Sequence, residues 1–577
     1  MRQDFQCGAA KIRRNGWMIG ALLASALVVP CAAKAQGGQE DVQAPVKQFP
    51  KVAAGEVKTA NGITNGTLGE DGTIRIYRGI PFGAPPVGDL RWREPQPVKD
   101  WTGVRDGSEF APRCMQTHVY RDMIFRDSLP SGSEDCLYLN VWTPKNADGK
   151  KLGVLLYFFG GGFAAGSGDE FRYDGEALAK KGIIVVTCNY RLGIFGFFSH
   201  PELTKESPHH ASGNYGLLDQ VAALEWVKAN IAAFGGDPNN ITIGGESAGS
   251  FSVSAQMASP LAIGKFQKAI GESGAYFSNG SSPLRALPLA KSEAAGAKYG
   301  ASIGANSLAE LRAIPAQKLL EVTEAQWNKP DGYKPSPNID GYFLTESPDK
   351  TFAAGKQAHV PLLAGWNRDE VKMMVLFNPK KPTPQSFADD AKARYGDASV
   401  EFLKLYPAST DAEAVQSAED LASDNFIIFS TWKWINEQVA TAKTPVYHYI
   451  FDQVPATKTG STIGPNKIPA SEIGARHAGE LEYVFQTLTW ENLPWTKDDF
   501  KTSDVMSSYW ANFVAKGDPN GAGLPKWPPY NAADKWQTMH LVDDSSAAAP
   551  EANRGRYLFM DAQAPKLIQA QEAKAAN

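Results

Sequence analysis

Histidine is scarce in this 577-residue chain, which has eight, and cysteine is scarcer, with five. No Cys/His group has zinc spacing, so a structural zinc module is excluded. No segment repeats at a fixed period, which excludes a solenoid or propeller. No long basic tract follows the N-terminus and the formal net charge is −4. That argues against a nucleic-acid partner. The most apolar N-terminal run, Trp17 to Val29, is too short for a comfortable membrane span.

That run fits a removable export signal instead. Lys11, Arg13 and Arg14 precede it, and Ala33-Lys34-Ala35 follows as a small-x-small cleavage pattern. The expectation is loss of residues 1–35 and a single domain over 36–577, periplasmic or secreted, with no stable membrane insertion. Cys31 follows Val28-Val29-Pro30, which lacks the small residues expected before a lipid-anchored cysteine. Cleavage removes five basic residues and one acid, taking the net charge from −4 to −8. Cys7 and Cys31 leave with the signal. Cys114 and Cys136 enclose 21 loop-like residues, and a disulfide there would stabilise by about 3 kcal/mol. Cys188 ends the apolar run Ile183–Cys188 and reads as a small core hydrophobe.

The mature part has ample apolar material, 43% of the whole chain being hydrophobic and 21% charged. Apolar runs at Val154–Phe159, Ile183–Cys188, Ile241–Ile243, Leu362–Ala364 and Val446–Phe451 read as strands. Leu217 to Ile231 has helical spacing and is stopped by Phe234-Gly235-Gly236-Asp237-Pro238. Strands alternating with helices predict an α/β fold with a mostly parallel sheet and helices on both faces. Two helical-looking stretches, near 278–361 and 379–443, read as cap or lid insertions over the C-terminal edge of that sheet.

Between Ile241–Ile243 and a predicted helix lies Gly245-Glu246-Ser247-Ala248-Gly249. Glycines two positions either side of a serine suit a turn so tight that side chains there would collide. A hydroxyl needs a base to attack. If acid and then base follow the serine, His359, His448, His477 and His540 remain. His448 and His540 lie in strand-like runs, and His359 precedes a strand, at the wrong end for such a site. His477 follows a loop and precedes a helical run, so it is the candidate base. Asp369 and Glu370, where a strand enters a turn, both qualify as the orienting acid on local chemistry. Gly160-Gly161-Gly162 and Ala248 offer backbone N–H groups to an oxyanion. A phosphate cradle is excluded because no G-K-[ST] follows.

Further segments stand in order: Tyr77-Arg78-Gly79-Ile80-Pro81-Phe82, Ser133-Glu134-Asp135-Cys136-Leu137-Tyr138-Leu139-Asn140-Val141, Asn189-Tyr190-Arg191-Leu192-Gly193, Gly213 to Gln220, and Trp510-Ala511-Asn512-Phe513 with Gly517-Asp518-Pro519-Asn520. With the serine turn they resemble the type-B carboxylesterases, which include cholinesterases and bacterial para-nitrobenzyl esterases, over roughly residues 55–560. The resemblance implies an α/β-hydrolase fold and a Ser247, His477, Glu370 triad, choosing Glu370 over Asp369. It implies an oxyanion hole from Gly161, Gly162 and Ala248, electrostatic support from Glu246, and a Cys114–Cys136 disulfide. Two positions depart from the family pattern. Phe159 replaces the histidine or tyrosine before the triple glycine, and Val371 replaces the glycine after the acid.

The function so implied is an exported serine hydrolase acting on small-molecule carboxylic esters, without metal or organic cofactor. A non-catalytic cholinesterase-like interaction module and an amidase or peptidase on the same scaffold are the alternatives. Phe163, Met123, Phe125, Trp327 and Tyr333 are candidate pocket-lining residues, each equally suited to core or lid packing.

Overall fold

The computed structural model describes residues 54–117, 123, 125–126, 131–281, 284–327, 329, 332–464, 466–543 and 545–576. The expected signal segment therefore lies outside the described residues, as does the side chain of Trp327.

The core is an eleven-stranded sheet. In chain order its strands are β1 (Thr67–Leu68), β2 (Ile74–Pro81), β3 (Tyr138–Pro144), β4 (Leu152–Phe158), β5 (Ile184–Cys188), β6 (Gly236–Glu246), β7 (Lys268–Glu272), β8 (Leu362–Asn367), β9 (Val446–Phe451), β10 (Gln537–Leu541) and β11 (Ala547–Pro550). Their spatial order is β11-β10-β9-β8-β7-β6-β4-β5-β3-β2-β1. Strands β5 to β10 pair in parallel, and antiparallel pairs close both edges. The parallel strands β4 and β5 are near-continuous apolar runs because helices cover both faces. Val154 to Phe158, Ile184 to Cys188 and Leu362 to Asn367 are buried at every position.

The helices used below are α1 (Tyr215–Asn230), α2 (Ala248–Ala258), α3 (Lys372–Phe377), α4 (Asp411–Ser423), α5 (Phe429–Ala442) and α6 (Lys497–Lys516). α1 passes into a 3-10 turn, Ile231–Phe234, which ends where Gly235 takes φ +90°, as the stop signal predicts. The strand after it starts earlier than the sequence suggests. β6 begins at Gly236, and its register against β4 shifts between the pairs Leu152–Gly236 and Val154–Ile241. Asp237 to Asn240 bulge out there, and Asn240 Nδ2 donates to Ala515 O at 3.0 Å. The stretches near 278–361 and 379–443 contain helices such as Leu289–Ser302, Ala316–Trp327, Pro384–Tyr395, α4 and α5.

Two of the sequence segments prove to be one brace. Arg191 Nη2 and Nε donate to Asp219 Oδ1 and Oδ2 at 2.7 and 2.8 Å, and both residues are buried. A paired, multiply bonded charge of this kind fixes the loop after β5 against α1. Cys114 and Cys136 are disulfide-bonded, and Cys188 is free and buried. Among the described residues no helix is long and apolar enough to cross a membrane.

Candidate active site

β6 delivers the chain to Ser247, which has φ +52° and ψ −121°, and α2 starts at the next residue. This backbone is strained for a residue with a side chain. The bracketing glycines are obligatory on contact grounds. A Cβ on Gly245 would lie 2.5 Å from the Gly249 carbonyl carbon and 2.7 Å from Phe158 O. One on Gly249 would lie 2.9 Å from the Phe158 carbonyl carbon and 3.0 Å from Phe159 O. These are backbone atoms of β4, of the residue after it and of α2, and cannot turn aside. Ser247 N donates to Glu272 O at 2.8 Å, which ties the turn to the end of β7.

The other two parts come from distant loops. Glu370 follows β8, and His477 follows Gly474-Ala475-Arg476. These loops are stitched together by backbone. Asp369 N donates to Ala475 O at 2.9 Å and His477 N to Glu370 O at 3.0 Å. His477 Nε2 lies 2.9 Å from Ser247 Oγ, and its Nδ1 lies 2.6 Å from Glu370 Oε2. Glu370 Oε1 accepts from Asn367 N at 2.8 Å and from Ser273 Oγ at 2.6 Å. Asp369 takes another job, its Oδ2 accepting from Ala475 N at 2.9 Å.

The other three candidate histidines are engaged elsewhere. Buried His448 bonds Thr538 Oγ1 through Nδ1 at 2.9 Å, His540 meets Asp452 at 2.6 Å, and His359 meets Gly355 O at 3.0 Å.

The glycine loop lies beside the serine turn. Gly161 and Gly162 take φ +108° and +63°. Among the described residues neither N–H has an intramolecular acceptor. Ala248 N–H belongs to the first turn of α2 and has no intrahelical partner by geometry. Phe159 changes how this loop is held. Its ring stacks on Tyr190 with centroids 4.2 Å apart, and the Tyr190 hydroxyl donates to Phe159 O at 2.7 Å. The loop is thus held here through the Phe159 ring and carbonyl. Val371 has φ −134°, where a glycine has no advantage, and its side chain is buried.

A cluster of buried carboxyls surrounds the imidazole. Glu246 Oε1 lies 3.3 Å from His477 Nε2. Glu480 accepts from Asn367 Nδ2, and Glu272 accepts from Trp510 Nε1 at 3.2 Å. Burial, reinforced by the neighbouring carboxylates, holds Glu246 and Glu272 well above the usual carboxyl range. The same causes push Glu480 up to about 7. For His477, burial alone would lower the pKa, but the pull of Glu246 and Glu370 raises it to about 10. The two shifts oppose each other. A Glu246 kept neutral by its burial no longer pulls on His477, which then returns toward the range where an imidazole works as a base. Burial governs Glu246, so its raised pKa is the dominant effect.

The candidate pocket residues divide. Met123 is buried, and its Cε would lie 2.8 Å from a Cβ on Gly161. Phe163 is buried beside Phe197 and Tyr276, at 5.0 and 6.4 Å between centroids. Phe125 is half-buried under the Arg113 guanidinium. Tyr333 packs on Tyr299 and Phe198 in a separate cluster behind the loop after β5. Ser273 and Phe426 are site residues that the sequence reading did not single out. Ser273 had a signal: Gly271-Glu272-Ser273-Gly274 repeats the Gly-Glu-Ser of the serine turn. Phe426, 5.1 Å from His477 between ring centroids, had none. Among the described residues no group of three or more His, Cys, Asp or Glu is placed to hold a metal ion.

A family model described as "Carboxylesterase family" matches residues 53–559. Fumonisin B1 esterase of Sphingopyxis macrogoltabida is 37% identical over 489 residues, spanning 82% of this chain and 84% of that protein. Para-nitrobenzyl esterase of Bacillus subtilis is 33% identical, spanning 87% of this chain and 98% of its own. Among solved structures, a PNB esterase superposes with a TM-score of 0.72 at 31% identity, covering 87% of this chain and 99% of its own. A Geobacillus stearothermophilus carboxylesterase gives 0.72 at 32%, with the same coverage.

Proposed function

Because the chain belongs to the carboxylesterase family and has its α/β-hydrolase fold, and is thus a carboxylic ester hydrolase of the serine type, we propose that Ser247, His477 and Glu370 are its catalytic triad. The observation that carries this is the line Ser247 Oγ, His477 Nε2, His477 Nδ1, Glu370 Oε2, with successive gaps of 2.9 and 2.6 Å across the ring.

In this reading His477 takes the Ser247 proton as Oγ attacks the ester carbonyl. The N–H groups of Gly161, Gly162 and Ala248 receive the oxyanion, each donor being worth about 3 kcal/mol of barrier. His477 then gives its proton to the leaving alcohol, and water repeats the cycle on the acyl-enzyme. Glu370 fixes the tautomer with the Nδ1 proton facing it and stabilises the imidazolium. No step calls on a metal or organic cofactor.

The helices within 278–361 and 379–443 act as the cap of a single catalytic unit over 36–577. Residues 1–35 direct export and are removed, leaving the enzyme periplasmic or secreted. The disulfide agrees with an oxidising compartment. N-terminal sequencing of protein from the native host tests the cleavage, and a start at Met1 refutes it. The substrate is a small-molecule carboxylic ester. The names of the relatives, fumonisin B1 esterase and para-nitrobenzyl esterase, make bulky esters the first to assay. Labelling by a fluorophosphonate probe, lost in Ser247→Ala, tests the nucleophile. Folded S247A protein with undiminished ester turnover refutes it.

A further inference from the structure

The loop carrying Glu370 ends at Val371, whose N–H donates to Ser423 Oγ at 3.3 Å. Ser423 is the last residue of α4. The chain then makes one turn of π-helix, Asp424–Ile428, before continuing as α5. A π-turn is rare and carries a residue more than an α-turn, which rotates what it presents. This one is held from several sides. The Tyr406 hydroxyl donates to Asp424 Oδ2 at 2.6 Å, and Asn279 Nδ2 donates to Asn425 Oδ1 at 3.1 Å. Asn425 Nδ2 donates back to Leu421 O at 2.9 Å, and Thr431 Oγ1 to Ile427 O at 3.0 Å. All five residues of the turn are buried.

The turn sets Phe426 against His477. The ring centroids are 5.1 Å apart and the planes meet at 83°. This is the edge-to-face geometry that aromatic pairs prefer. His477 needs such a restraint. While His477 carries the proton from Ser247 to the leaving alcohol, its bond to the serine hydroxyl is gone and Glu370 is the side chain that holds the ring by hydrogen bonding. Glu246 Oε1, 3.3 Å from Nε2, is then a competing acceptor for the imidazolium.

We propose that Phe426 is a positioning residue for His477, held by the π-turn so that the imidazole stays aimed at the reacting atoms. The same turn steadies the acid loop through Ser423 and Val371. A helix of the cap region thereby reaches two members of the triad without touching the nucleophile.

The inference rests on His477 being the base, and the two separate experimentally. A folded His477→Ala variant that keeps its turnover sinks that reading. An inactive H477A beside a fully active Phe426→Leu sinks only the inference. The test uses the full chain with p-nitrophenyl acetate, whose acyl group is too small to need a wall at position 426, and p-nitrophenyl octanoate. F426L should lower kcat on the acetate about 10- to 100-fold, leave KM within about twofold, and displace the acid limb of the pH–rate profile. F426Y, which retains the ring, should recover most of the loss. If F426L does not fold, Phe426→Met applies the same criterion. Unchanged kcat and acid limb on the acetate, or a change confined to KM for the octanoate, overturns the proposal and makes Phe426 a packing or pocket residue.

Discussion

Ser247 and Ser273 end neighbouring parallel strands at the same level, each with a positive φ, +52° and +57°. The register pairs Gly245 with Gly271 and Glu246 with Glu272, so the Gly-Glu-Ser sequence occurs twice side by side. The first serine faces His477, whereas the second donates to Glu370 Oε1 at 2.6 Å. Ser273→Ala leaves Glu370 with the Asn367 N–H on that oxygen. A hydrogen bond to a charged group contributes about 1.5–3 kcal/mol. The expected outcome is a kcat about tenfold or more lower with KM little changed, read by steady-state kinetics. Unaltered kcat would mean that Asn367 alone holds the acid.

The serine turn depends on Gly249 as much as on Ser247. A methyl there meets the backbone of Phe158 and Phe159, in the core of the sheet. Overpacking of this kind costs about 1–3 kcal/mol, more where only backbone can yield. Gly249→Ala should lose at least that much stability in urea denaturation. It should lose activity further, because Ala248, proposed as an oxyanion donor, adjoins Gly249, and the displaced Phe159 leads directly into the glycine loop proposed to supply the others. A stable, active G249A would show that the turn has slack which the contacts deny.

Much of this was legible because it is local. The bracket around Ser247 states its own turn, and the apolar runs state the parallel strands. His477 emerged from eight histidines because four precede Ser247 in the chain and the other three sit in strands or at the wrong strand end. Two kinds of feature were not legible. Asp369 and Glu370 are adjacent acids, and their roles differ only through stitching to Ala475 and His477, more than a hundred residues away. Phe426 sits in a π-turn, whose extra residue leaves no mark on a helical pattern. β6 likewise begins before Pro238, because a bulge absorbs the proline that reads as a break.

Glu246 gives a pH test with a defined sign. The base must be neutral to work, so activity falls as pH falls through the pKa of His477. A Glu246 carboxylate raises that pKa. Burial keeps Glu246 neutral, so Glu246→Gln exchanges one neutral group for another and the acid limb of kcat/KM should stay in place. A limb moving to lower pH would mean that Glu246 is ionised in the working range and pulls on His477. A limb moving upward would contradict the geometry.

The last prediction concerns stability. Asp424 is fully buried in the π-turn, and burial raises its carboxyl to about 7, against a partial opposing pull from the Tyr406 hydroxyl and the Arg556 guanidinium. Unfolded, the group ionises near its ordinary value of 3.8. Between those values the folded chain holds a proton that the unfolded chain has released. The stabilisation is therefore complete below about 4 and disappears as pH rises through about 7, amounting to roughly 4 kcal/mol at most. Asp424→Asn is neutral at every pH and can still accept from Tyr406. Relative to the parent it should gain a few kcal/mol between pH 5 and pH 8, measured by urea denaturation at each. Other buried groups, such as His448, titrate alike in both proteins and cancel from the difference. A difference that does not change with pH would show Asp424 ionising normally, and the π-turn would then hold a charge rather than a neutral acid.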